Sequence, residues 1–239
     1  MAQYIYGRNA VAQALASNRV LKVFLALGFN GRDLMQKIEE RHIVIERQEN
    51  EWLNRLVGVH HQGIVAVIRP YDFIDLDVLL RQADSQAFGL LLILDSIQDP
   101  QNFGAIIRNA EAFGAAGIII KKDRQVGLTA TVAKVSAGSI EHVAIAQVIN
   151  LSQTIKQLKQ AGYWIVSTAI AGAIDYRSFD YKRKIALIVG SEGDGVSPLL
   201  LKNSDVIVQI PMVGQINSIN ASAASAVLLS HIHSQRFPL

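Results

Sequence analysis

The chain of 239 residues is half hydrophobic and contains no cysteine, which allows one large or two small buried cores and excludes a disulfide framework, a thiolate metal site and a cysteine nucleophile. Its formal net charge is +3, Lys+Arg 23 against Asp+Glu 20, yet residues 1–70 hold nine basic and six acidic side chains and the remainder fourteen of each. All the excess positive charge therefore lies in the first segment, which is either a weak footprint for nucleic acid or ordinary surface charge.

In chain order, Met1-Ala2-Gln3-Tyr4 offers neither the basic nor the apolar region of a targeting signal, and a cytoplasmic protein is expected. Gly7 to Leu15 reads as a helix and Leu21 to Leu27 as a strand. Arg32 to Arg41 is an amphipathic helix and Ile43 to Glu46 a short strand, and Asn50 is placed to cap a helix through Leu56. Gly63 to Ile68 reads as a strand closed by Arg69-Pro70. Residues 1–70 are thus expected as a small α/β domain and 71–88 as a linker, with a helical turn or more around Leu76 to Leu80.

Residues 89–239 alternate more regularly. Strands are expected at Leu90–Leu94, Gly117–Ile120, Val143–Val148, Tyr163–Thr168, Ile185–Val189 and Val206–Ile210. Helices are expected between them at Asn102–Phe113, Thr131–Ser136, Leu151–Gln160 and Ser197–Lys202, and last at Asn220–His231. Apolar strands separated by helices imply an α/β fold with a mostly parallel sheet and helices on both faces. Ligands in such sheets bind beyond the carboxyl ends of the strands. The longest apolar runs are strand-sized, far short of a membrane span.

Three loops at strand ends concentrate polar groups. The first leaves Asp95, turns at Asp99-Pro100 and enters a helix that Asn102 is placed to cap; Arg108 follows two turns in, among Ala, Ile and Phe. An Arg there needs an anionic partner or exposure, and Glu111 at i+3 is a candidate to hold it. The second, Gly190-Ser191-Glu192-Gly193-Asp194-Gly195, lacks the lysine of a phosphate-binding loop and carries two carboxylates that would repel phosphate. It is either a plain turn or a wall for a neutral or cationic ligand. The third runs from Ile210-Pro211-Met212 through Gly214 to Ser218-Ile219-Asn220 and leads into a helix rich in Ala and Ser, whose small side chains allow close backbone approach. A nucleotide-binding oxidoreductase is disfavoured, because no G-x-G-x-x-G follows the first strand of this segment.

Together the motifs D-P-x-N-x-G-A-I-x-R-x-A-x-x-F-G-A, I-V-G-x-E-G-x-G and I-P-M-x-G-x-x-x-S-x-N-x-S-x-A resemble, in order and spacing, those of the SpoU branch of the SPOUT RNA ribose 2'-O-methyltransferases. Tyr6-Gly7-Arg8-Asn9-Ala10-Val11 and His61-Gln62-Gly63 resemble the N-terminal RNA-binding domain of a subgroup that modifies a guanosine in 23S ribosomal RNA. Ile219, Ala221, Asn109 and Ser139 depart from the usual residues, with Thr or Ser commoner at position 109.

The resemblance implies a trefoil-knotted SPOUT domain preceded by a ribosomal-protein-like α/β domain, a homodimer, and S-adenosylmethionine as methyl donor with no metal. It implies backbone contacts to the cofactor from Gly190, Ile210 and Ile219, with Asn220 beside them. Arg108 is implied at the reacting hydroxyl, with Asn102 and Ser218 positioning it and the ribose and Glu192 orienting the Asn102 side or its own loop. An Arg side chain ordinarily stays protonated, so a phosphate clamp stands beside proton removal as its role. Arg8, Asn9, Arg19 and Lys22 are the candidate RNA contacts, with Arg32 a further basic candidate. Alternatives are a tRNA ribose methyltransferase of the same family, an antibiotic-resistance branch acting on an adenosine, and a non-catalytic ribosome-assembly protein.

Overall fold

The computed structural model describes residues 3–215 and 218–238; Met1 and Ala2 of the N-terminal reading and Ile216 and Asn217 of the third loop lie outside them, as does Leu239. In chain order the elements are β1 (Gln3–Tyr6), α1 (Arg8–Ala16), β2 (Val20–Ala26), α2 (Arg32–Glu40), β3 (Val44–Gln48), α3 (Asn50–Val57), β4 (Ile64–Ile68) and α4 (Leu76–Asp84). Then come β5 (Leu90–Asp95), α5 (Pro100–Ala112), β6 (Gly117–Lys121), α6 (Ala130–Val135), β7 (Ile145–Val148), α7 (Leu151–Gln160), β8 (Trp164–Thr168), β9 (Ile174–Asp175), β10 (Ile185–Gly190), α8 (Pro198–Lys202), β11 (Val206–Gln209) and α9 (Ala221–Arg236). The contacts divide the chain into two compact units, Met1–Asp72 with Gly127–His142, and Phe73–Val126 with Val143–Leu239.

The first unit is built on a four-stranded sheet of order β1-β4-β2-β3. Period-two alternation sorts its side chains. Phe24, Ala26 and Val65 face α3, whose Leu53 is fully buried against them with Trp52 and Leu56 beside it. Ile5, Val23, Leu25, Ile64 and Ala66 are buried on the other face, where α1 packs through Val11, Ala14 and Leu15. The edge strand β1 is covered by α6: Gln3 Nε2 donates to the Leu128 carbonyl at 2.6 Å, and the Lys134 ammonium sits 4.4 Å over the Tyr6 ring. Covering an edge in this way removes a template for unwanted strand pairing.

The second unit carries seven strands in the order β7-β6-β5-β10-β8-β11-β9, every pair parallel. The chain steps outward from β5 to β6 and β7, then returns to build β8, β9, β10 and β11 on the other side. β10 enters between β5 and β8, and β11 enters last, between β8 and β9. All six residues of β5 and of β10 are buried, as expected of strands covered on both faces. Leu91, Ile93, Ala186 and Ile188 meet Leu79 and Ala83 of α4 and Leu151, Ile155 and Leu158 of α7. On the other side lie α5 and α9, which pack on each other and bury Phe103, Ile106, Ile107 and Ala110 from α5 and Leu228, Leu229 and Ile232 from α9.

Several local expectations change. Asn50 is the first residue of α3, which follows Glu49 with no side-chain cap. Asp99, not Asn102, caps α5, accepting from the Gln101 and Asn102 amides; a cap must precede the first helical residue, and Pro100 is pre-set for that position, which leaves Asn102 already inside the first turn. The helical turn near Leu76 is a full nine-residue helix. The last helix runs on to Arg236, whose guanidinium donates to the carbonyls of Phe88, Tyr181 and Arg183 at 2.7, 3.0 and 2.7 Å. β1 and the two-residue β9 carry too short a pattern to have been read as strands. Among the described residues, no helix is long and apolar enough to cross a membrane.

Candidate active site

The site lies in the second unit, beyond the carboxyl ends of β5, β8, β10 and β11, and its geometry begins with turn chemistry. Asp95, at the end of β5, is buried, and its Oδ2 accepts from the Ser197 amide at 2.8 Å, tying that strand end to the start of α8. Ser96 then takes a left-handed φ of 63°, and the Asp99 cap launches α5. After β10 the chain doubles back: Gly195 N–H donates to the Ser191 carbonyl at 2.9 Å. A side chain at Gly190 would collide with the Gly195 carbonyl, and Gly195 itself has φ 67°, so both positions need glycine. Before α9, Asn220 caps the helix through Oδ1, which accepts from the Ser222 and Ala223 amides at 2.8 and 3.3 Å.

These three loops are joined by one hydrogen-bonded triangle. Asn102 Nδ2 donates to Glu192 Oε1 at 2.8 Å. Asn220 Nδ2 donates to Asn102 Oδ1 at 2.7 Å and to Glu192 Oε1 at 2.5 Å. The carboxylate is held by two neutral amides, and bonds to an ionised acceptor are the stronger kind. Asn102 is buried, so its amide needs these partners. The cap of α9, the first turn of α5 and the glycine loop thus cannot move independently.

Beside the triangle lies a cavity of about 500 Å³, the size of a small-molecule site. Its walls are Thr168 to Ala171 after β8, Gly190 to Val196 after β10, Gln209, Ile210 and Met212 after β11, Ser218 and Ile219 before α9, and Ala221, Ala224 and Leu228 on that helix. Val189, Ile210, Met212, Ile219 and Leu228 make an apolar slot, and exposed loop backbone supplies donors and acceptors. Glu192 and Asp194 line the cavity, whereas no Lys, Arg or His does so among the described residues. Such a lining suits a flat heteroaromatic group attached to a cationic centre and is unsuited to a phosphate. A second cavity of about 320 Å³ lies on the other side of the glycine loop, against Ser96 to Asp99, Asn102 and Ser191 to Asp194.

The structure brings together most of the site residues expected from sequence. Gly190, Glu192, Ile210, Ser218 and Ile219 line the larger cavity; Asn102 and Asn220 reach it through Glu192. Arg108 does not line it. Arg108 lies exposed on α5, and among the described residues it forms neither the anticipated ion pair with Glu111 nor any other. Its neighbour Asn109 is engaged: Nδ2 donates to the Ser222 carbonyl and to Ser225 Oγ at 2.8 and 3.0 Å. Sequence reading noted Asn109 only as an unusual residue and missed the cavity wall at Thr168 to Ala171, where no motif marks the chain.

In the first unit the RNA-binding candidates separate. Arg8 and Asn9 are exposed at the start of α1; Arg8 donates to the Asn30 carbonyl at 2.7 Å and lies 5.1 Å from the Phe29 ring centroid. Lys22 pairs with Glu46 at 2.5 Å across partly exposed side chains. Arg19 is internally committed: Nε meets Glu141 Oε2 at 2.8 Å, where the Glu141 side chain is only 3% exposed, another nitrogen donates to the Pro70 carbonyl at 3.0 Å, and the Tyr71 ring lies 4.8 Å away. His61 is also buried, and Gln62 Oε1 accepts from the Arg8 amide at 2.8 Å. Arg32 is exposed at the start of α2.

Comparison with known proteins finds two sequence profiles along the chain. The sequence profile described as the SpoU rRNA Methylase family matches residues 89–230, and the profile described as RNA 2'-O ribose methyltransferase substrate binding matches residues 4–74. A TrmH family tRNA/rRNA methyltransferase of Staphylococcus haemolyticus (strain JCSC1435) is 38% identical over 97% of this chain and 95% of its own. The TrmH family tRNA/rRNA methyltransferase YacO of Bacillus subtilis (strain 168) is 39% identical over 99% of this chain and 97% of its own. The fold matches the crystal structure of the SpoU methyltransferase AviRb from Streptomyces viridochromogenes in complex with the cofactor AdoMet, with TM-score 0.82 and 24% identity over 98% of this chain and 90% of that one.

Proposed function

Since the chain belongs to the SpoU rRNA methylase family of RNA 2'-O-ribose methyltransferases, we propose that it transfers a methyl group from S-adenosylmethionine to the 2'-hydroxyl of a guanosine in 23S ribosomal RNA. The observation that carries the donor assignment is the larger cavity: apolar walls, open loop backbone, two carboxylates and no basic side chain among its described residues. S-adenosylmethionine, when bound, supplies a methyl group made electrophilic by a sulfonium. Backbone groups at Gly190, Ile210 and Ile219 read the adenine edge, and the carboxylates of Glu192 and Asp194 favour the cationic centre. In this reading the loops and α9 form a trefoil knot, the protein works as a homodimer in the cytoplasm, and no metal takes part.

The acceptor oxygen must lose its proton as the carbon–oxygen bond forms and the sulfur–carbon bond breaks. Arg108 is exposed and therefore free to clamp an RNA phosphate bidentately. That clamp fixes the attack geometry, while the phosphate or a water takes the proton. Asn102 and Ser218 position the ribose, and Glu192 holds the Asn102 amide. Arg8, Asn9 and Lys22 of the substrate-binding unit grip folded RNA through its phosphates and loops; the ion pair of Arg19 assigns it a supporting part. Ribosomal RNA is favoured by the likeness of Tyr6-Gly7-Arg8-Asn9 to the subgroup that modifies 23S ribosomal RNA, and tRNA is the second reading, since the relatives are named for both.

The test is Arg108→Ala. It is expected to bind S-adenosylmethionine with wild-type affinity by calorimetry and to lose nearly all methyl transfer to RNA. Wild-type turnover in that variant would sink the assignment of Arg108.

A further inference from the structure

We infer that Asn109 is a positioning residue for methyl transfer, holding α5, and Arg108 with it, in register with the loop that walls the cofactor cavity. The inference rests on the role proposed for Arg108 and goes beyond it to what keeps that side chain in place. Asn109 uses both amide hydrogens across the helix pair, to the Ser222 carbonyl at 2.8 Å and to Ser225 Oγ at 3.0 Å. Ser225 is fully buried, and its own hydroxyl donates to the Ser222 carbonyl at 2.7 Å. The Ser222 amide and hydroxyl in turn donate to Asn220 Oδ1 at 2.8 and 2.5 Å, and the Asn220 amide reaches Asn102 and Glu192.

Helix α5 is therefore bolted to the start of α9 at Asn102 and again at Asn109. Seven residues are about two turns, so the two bolts lie on one face roughly 10 Å apart. A single attachment would let α5 roll or slide against α9; two attachments do not. Arg108 sits next to the second bolt and faces outward, so any roll of α5 is carried directly into the position of its guanidinium. A shift of about 1 Å at a reacting group costs on the order of 100-fold in rate. The chemistry of the bolt is specific: an amide supplies two donors for a carbonyl and a hydroxyl, whereas Asp has the same shape, no donor, and a negative charge against the Ser222 carbonyl.

The experiment compares the full-length wild type with Asn109→Asp, Asn109→Thr and Ser225→Ala, using labelled S-adenosylmethionine and unmodified ribosomal RNA. Asn109→Asp is expected to lower kcat by about 10- to 100-fold while S-adenosylmethionine affinity stays within about two-fold of wild type. Asn109→Thr restores one donor and is expected to recover most of that loss. Ser225→Ala removes the acceptor for Asn109 and the hydroxyl donor to the Ser222 carbonyl but keeps the Asn109 amide on that carbonyl, is expected to lower kcat by about two- to five-fold at unchanged affinity, and decides the matter if Asn109→Asp does not fold. Wild-type kcat in a folded Asn109→Asp protein, or in Ser225→Ala where Asn109→Asp is unfolded, overturns the inference, as does a parallel fall of kcat and cofactor affinity in either. If Arg108→Ala is inactive while Asn109→Asp is fully active, only the bolt is wrong; if Arg108→Ala is fully active, the reading beneath it is wrong as well.

Discussion

Single side chains in this protein often carry two tasks at once, and Asn220 is the clearest case. Its Oδ1 caps α9 while its amide holds Asn102 and Glu192. Asn220→Ala is expected to cost about 1 kcal/mol through the lost cap and also to weaken S-adenosylmethionine binding, by loosening the Glu192 loop. Calorimetry beside a thermal melt separates the two effects, and unchanged affinity would remove Asn220 from the cofactor shell. His61 shows a different constraint. Its Nδ1 accepts from the Gly63 amide at 3.0 Å, which leaves the proton on Nε2 facing Asn54 Oδ1 at 3.0 Å. Burial pulls its pKa below the ordinary value of 6.5. The unfolded chain therefore takes up the proton first, so the stability contributed by neutral His61 is present above about pH 6.5 and is lost as pH falls through the lower folded value. The fall in melting temperature between neutral and mildly acidic pH is expected to be larger in wild type than in His61→Gln; equal falls would show that His61 titrates freely.

At the scale of elements, the fold depends on how helix ends and strand ends are fastened. Arg236 fastens the end of α9 by giving hydrogen bonds to three carbonyls from two other segments, and burial lowers its pKa to about 10, still charged at neutral pH. Arg236→Ala is expected to destabilise the fold by about 2–3 kcal/mol, because those carbonyls lose a charged donor; denaturant titration reads this directly, and a change below the error of that titration would argue that water replaces the side chain. The strands β5 and β10 were legible in the sequence because unbroken apolar runs have no alternative to burial on both faces. The three polar loops were legible because Gly, Pro, Asp and Asn clustered after those runs. The bolt at Asn109 was not legible: a polar residue on a helix reads as solvated until the partner helix, more than a hundred positions away in sequence, is in place. The expected pairing of Arg108 with Glu111 failed for the complementary reason, since local spacing permits a pair without requiring it.

At the scale of the whole molecule, the chain leaves and re-enters its first unit, crossing after Asp72, after Val126 and after His142. Period and composition could not reveal this, because the amphipathic turn near Ala130 reads alike in either unit. The segment is fixed by contacts that sequence proximity hides: α6 over the β1 edge, and Arg19 with Glu141, 122 positions apart. Glu141→Ala leaves the Arg19 guanidinium, which is 26% exposed, without its carboxylate; discounted for solvent, the expected loss of stability is about 1–2 kcal/mol. The basic excess of residues 1–70, read from composition alone, thus divides into side chains spent inside the unit, such as Arg19, and side chains at its surface, such as Arg8 and Arg32.

The central claim is that the three fastened loops of the second unit methylate a ribose hydroxyl on RNA. Its most direct test is incubation of the purified protein with labelled S-adenosylmethionine and bulk RNA, followed by mapping of label to individual nucleotides and to base or ribose. The expected result is label on the 2'-oxygen of a guanosine in 23S ribosomal RNA. Label confined to tRNA would overturn the choice of substrate, and label on a base, or on no RNA at all, would contradict the account.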